Sequence, residues 1–115
     1  MATLTIDGGD LVISLSAWER LGSLHRGFRV PLRAVEAVSV TDEPFAQLRG
    51  RRHPGTRVFY VIALGTWRER HQRGFAAIYG RKPAVSVRLR DGEFAWLCVT
   101  ADDPHAVAEQ IRDAL

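Results

Sequence analysis

The sequence predicts a mainly β domain finished by a C-terminal amphipathic helix, and three observations carry that prediction. Apolar and polar residues alternate on both sides of Asp7-Gly8-Gly9-Asp10, the pattern of a β-hairpin around a tight turn. Residues 58–100 hold four apolar runs separated by turn residues, and Asp91-Gly92 joins the last two. Asp103-Pro104 then offers an N-cap and a first-turn proline ahead of a stripe of Val107, Ile111, Ala114 and Leu115.

The elements follow in order. With Gly8-Gly9 as a two-residue loop, Ile6 faces Leu11 and Leu4 faces Ile13, so both apolar sets share one sheet face. Ser16 and Glu19 have capping-box spacing. Trp18, Leu21 and Leu24 then fall on one face of a short helix over 17–25, which Gly22 weakens and Gly27 stops. A short strand over 28–30 ends at Pro31, and another covers 35–40. Residues 43–56 carry two Pro, two Gly and three Arg and read as a long loop. The run 58–67 is apolar on both faces, as a central strand is. Strands over 74–79, 84–90 and 93–100 complete an up-and-down meander. The Asp91-Gly92 turn pairs Leu89 with Phe94, Val87 with Trp96 and Val85 with Cys98, making those six a core face. Eight strands and two helices result, with no internal repeat and no linker.

Composition bounds the function. The chain has 115 residues, 46% hydrophobic and 25% charged, enough for one domain with a packed core, taken as 1–115. No apolar run is long enough to cross a bilayer and no export signal opens the chain, so a cytoplasmic location is expected. The net charge of +3 hides a segregation. Residues 1–48 carry four Arg against six acids, 49–90 carry eleven basic residues against Glu69, and 91–115 carry Arg112 against six acids. Clustered Arg attracts phosphate or acidic surfaces; the plainer account is a solvated face partly paired with the acidic C-terminal block.

Three features resemble a bacterial pleckstrin-homology (PH) domain of the small actinobacterial type. These are the Val30-Pro31-Leu32-Arg33-Ala34-Val35 turn, the meander over 58–100, and the Asp102-Asp103-Pro104 helix start. The resemblance implies a strongly bent antiparallel sandwich or partial barrel of seven or eight strands, one end plugged by the helix. It implies a binding module formed by this domain alone, without catalysis. Members of that family hold phosphoinositides with a basic β1–β2 loop, or take peptides along an exposed strand and the closing helix. Here that loop carries Asp7 and Asp10, so no lipid-binding residue transfers.

Candidate sites are few. The strand directions gather Arg49, Arg51, Arg52, Arg57, Arg81 and Lys82 at the end that holds Asp103, an expected anion site. Arg68, Arg70 and Arg73 gather at the opposite end. Gly50 to Gly55 has phosphate-loop glycine spacing, but Thr56-Arg57 stands where Lys-Ser/Thr is required and a strand follows. His25, His53, His71 and His105 lack ligand spacing, Cys98 lies on a core face, and no serine sits in a nucleophile motif. Neither an enzyme nor a cofactor is expected. A blunting device is missing from the hairpin edge, where Thr3, Thr5, Val12 and Ser14 face outward. Together with a half-exposed Trp67 they form an expected interface for a protein partner or a homodimer. An anionic ligand, lipid headgroup or nucleic acid, at the Arg-rich end is the alternative.

Overall fold

The computed structural model describes residues 2–23, 27–48, 51–58, 62–69, 71–80, 82–90 and 92–115, with the backbone alone at 22–23 and 51–58. The fold is mainly β, with two sheets and a C-terminal helix, and the described strands form no closed barrel. The first sheet has the order β1-β2-β3, from β1 (Thr3–Asp7), β2 (Asp10–Ser14) and β3 (Phe28–Pro31). The second runs β4-β8-β9-β7-β6-β5. Its strands are β4 (Val35–Thr41), β5 (Arg51–Val58), β6 (Ile62–Glu69), β7 (Gln72–Tyr79), β8 (Ala84–Leu89) and β9 (Trp96–Thr100). Among the described residues two α-helices, α1 (Ala17–Ser23) and α2 (Pro104–Asp113), complete the fold. No helix among the described residues is long and apolar enough to cross a membrane.

The first hairpin has the register its alternation dictates, Ile6 opposite Leu11 and Leu4 opposite Ile13. Gly8 has φ +62 while Gly9 stays out of the left-handed region, the arrangement of a type II′ turn with glycine first. The turn's two acids are engaged by one cation. Arg29 donates from Nη2 to Asp7 Oδ2 at 2.6 Å and from Nε to Asp10 Oδ2 at 3.1 Å. Those two hydrogen bonds push the guanidinium pKa further above its ordinary value.

Four expectations are corrected. Residues 43–56 are not one loop: a 3-10 turn covers Pro44–Gln47, and a ninth strand starts at Arg51. Strand β5 lies at a sheet edge, and its register shifts between Arg52 and Gly55. Such a bulge at an edge is where a strand tolerates Pro54. The meander is not strictly up and down either. Strand β9 inserts between β7 and β8 and runs parallel to β7.

The third correction is a one-residue slip. Val87 pairs with Leu97 and Val85 with Val99, because β8 and β9 are joined through six residues and not a two-residue turn. Leu89 N donates to Ala95 O at 2.9 Å across that connection. The slip flips β9, so Leu97 and Val99 join Val85, Val87 and Phe94 in the main core between the sheets. Trp96 and Cys98 face the opposite side, where a second cluster holds Ala63, Trp67, Ala76, Ile78 and Ala84 under Phe45 and Leu48. Gly74 permits this: it stands opposite both Trp67 and Trp96, and a Cβ there would lie 1.8 Å from the Trp96 ring.

The helices differ from their predicted faces, which is the fourth correction. Helix α1 turns Trp18 and Leu21 outward, 50% and 77% exposed, and buries Glu19 completely. The expected end at residue 25 lies outside the described residues. Glu19 Oε1 accepts from Ser16 N at 2.8 Å and from Ser16 Oγ at 2.9 Å, and Tyr79 donates its hydroxyl to Oε2. A short helix is thus held through one carboxylate, with Trp18 edge-on to Tyr79 at 5.6 Å. Helix α2 is capped as predicted, Asp103 Oδ1 accepting from Ala106 N at 3.1 Å. It buries Pro104, Ala108 and Ile111, while Leu115 is exposed.

Candidate functional site

Four strands end the two sheets, and three of them are blunted. Strand β3 is four residues long and ends in Pro31. Strand β4 has a register shift between Val35 and Ala37, and Arg112 of α2 donates to its Val38 carbonyl at 3.0 Å. Strand β5 carries the bulge around Pro54. Strand β1 has no proline and no bulge, and among the described residues only β2 pairs with it. Shortness, bulges, prolines and covering elements are how sheets avoid unwanted pairing.

Hydrogen bonding along β1 alternates. A two-residue loop makes Asp7 and Asp10 a bonded pair, so Thr5–Val12 and Thr3–Ser14 are bonded too. The amides and carbonyls of Leu4 and Ile6 therefore point to the open side. Beside that row lies a groove of about 360 Å³. Its walls are Thr3, Leu4 and Thr5 of β1 and Ala106, Val107 and Gln110 of α2, with Val99 and Ala101 at its floor. Among the described residues, Asp102 and Asp103 are its only charged lining. An extended segment lying in it finds free backbone partners on one wall and apolar side chains on the other.

The predicted interface residues divide. Thr3 stands opposite Ser14 and Thr5 opposite Val12, so those four share the outer face of the first sheet. Thr3, Thr5 and Ser14 are exposed and Val12 is half-buried. Strand β2, however, is the central strand, paired with both β1 and β3, so Val12 and Ser14 offer a face and not an edge. Trp67 is not exposed at all. It is 2% accessible, because β5 makes β6 an interior strand and opposing Gly74 leaves room for the ring.

The predicted anion cluster also divides. Strand β5 runs antiparallel to β6 and sets Arg51 opposite Arg68 and Arg52 opposite Trp67, at the far end from Arg57 opposite Ala63. The side chains of Arg51, Arg52 and Arg57 lie outside the described residues, as do Arg49, Arg81 and Arg70 entirely. Lys82 is exposed. Arg51 and Arg52, expected at the same end as Arg57, therefore lie at the other end of β5, because a stretch read as a loop is a strand.

Burial raises the pKa of two groups among the described residues. Burial pushes the Cys98 thiol up to about 12, which leaves it protonated and inert. Burial and then Glu19 push the Tyr79 hydroxyl well above its ordinary range. No group of three metal-ligating side chains occurs among the described residues. The groove was half legible: alternation around Gly8-Gly9 located the open strand, but only the tertiary path of α2 brings Ala106 and Val107 beside it. Comparison with protein-family models, curated proteins and solved structures finds no match.

Proposed function

We propose that this protein is a non-enzymatic interaction module that takes an extended segment of a protein partner as an added strand along β1. The observation that carries this reading is the coincidence of an unblunted edge with an apolar groove beside it. Strand addition draws affinity from main-chain hydrogen bonds and selectivity from pockets that receive alternate side chains. Leu4 and Ile6 supply the first, and the Val99, Ala101, Ala106 and Val107 surface supplies the second. The PH resemblance stands beside this as an expectation about kinship, and the edge reading does not depend on it.

The test is a selection of random peptides displayed against the full chain, followed by amide chemical-shift mapping of the recovered ligands. The proposal expects the largest shifts at Leu4, Ile6 and Val107, and binding lost when the ligand's backbone is N-methylated at alternate residues. Ligands that perturb only other surfaces, or that tolerate N-methylation throughout, would overturn it.

A further inference from the structure

Two arginines stand side by side in a short row across two adjacent strands. Arg68 of β6 is the register partner of Arg73 of β7. Directly opposite residues of an antiparallel pair project to one face, and like charges placed so destabilise a sheet. The row borders a cleft of about 520 Å³ whose lining includes Arg68, His71, Arg73, Glu93 and Phe94. Arg68 is exposed, and no carboxylate among the described residues forms an ion pair with it.

Arg73 is braced. Its guanidinium carbon lies 5.8 Å from the centre of the Phe94 ring, and its Nη2 stands 3.5 Å from Glu93 Oε1. That contact is long for a charge-assisted hydrogen bond, and both side chains are substantially exposed. Glu93 thus partly neutralises the row without completing it. Glu69 also lines the cleft, on the neighbouring position of β6.

We infer that this cleft is an oxyanion site that receives a phosphate group between Arg68 and Arg73. A guanidinium fork matches phosphate oxygens, and a phosphate monoester brings up to two negative charges where Glu93 brings one. The incoming group displaces Glu93 from Arg73 and relieves the repulsion along the row. The site is independent of the β1 groove.

Pyrophosphate is the probe, measured by thermal shift and titration calorimetry at ionic strength held constant with chloride. The wild-type chain is stabilised by pyrophosphate. Arg68→Gln has an unchanged or higher melting temperature without ligand and binds pyrophosphate about tenfold or more weakly. Glu93→Gln binds it several-fold more tightly. Vesicles of phosphatidylcholine with phosphatidic acid separate the sources of the group. Recruitment that pyrophosphate competes away identifies a lipid headgroup, and stabilisation by pyrophosphate without recruitment identifies a soluble phosphate compound. No response of the wild type to pyrophosphate, an intact response in Arg68→Gln, or weaker binding in Glu93→Gln would each overturn the inference.

Discussion

Glu19 shows how a single residue fixes an element in this protein. Burial alone would raise its pKa, but hydrogen bonds from the Tyr79 hydroxyl, the Ser16 amide and the Ser16 hydroxyl outweigh that and hold it below the ordinary 4.5. The unfolded chain therefore takes up this proton at higher pH than the folded one. The stability it contributes is complete above the unfolded value and is lost as pH falls through the folded one. Urea unfolding from pH 7 down to about pH 3 should show stability declining below about pH 4.5. Glu19→Gln should be weaker at pH 7 by about 1–3 kcal/mol, with a flatter decline. An equal decline in both proteins would locate the acid sensitivity elsewhere. The sequence showed Glu19 only as a capping residue. Its partner Tyr79 lies 60 residues away, and no local pattern encodes that meeting.

At the scale of elements, what was legible and what was not divides by the range of the forces involved. The first hairpin and the start of α2 were readable because their signals are local: Gly8 in the turn, Asp103 and Pro104 at the helix start. The cap gives a direct check. Asp103→Ala should lower stability by about 1 kcal/mol, with neighbouring Asp102→Ala near zero, measured by thermal or chemical unfolding. Equal effects would mean that charge near the helix, and not the capping bond, matters. The β8–β9 register was misread because Asp91-Gly92 resembles a hairpin turn. The connection instead answers to distant partners: Ala95 N donates to Arg73 O at 2.6 Å and Arg90 N to Ala34 O at 2.8 Å. Those bonds belong to other strands, and a turn signal carries no information about them. Strand β5 was hidden by Pro54 and Gly55, whose cost an edge bulge absorbs.

For the whole molecule, the charge segregation and the edges are linked by topology. The basic middle third forms β5, β6, β7 and β8 of the larger sheet, while the acidic C-terminal block supplies α2 and the charged rim of the β1 groove. The central claim is that β1 is an open edge, and amide hydrogen exchange on the chain at low micromolar concentration tests it most directly. The alternation of bonded pairs predicts fast exchange at Leu4 and Ile6. Slow exchange is predicted at Thr5, bonded to Val12, and at Leu11 and Ile13, paired to Val30 and Phe28. Protection of Leu4 and Ile6 equal to that of Thr5 would mean the edge is already filled, and would contradict the account.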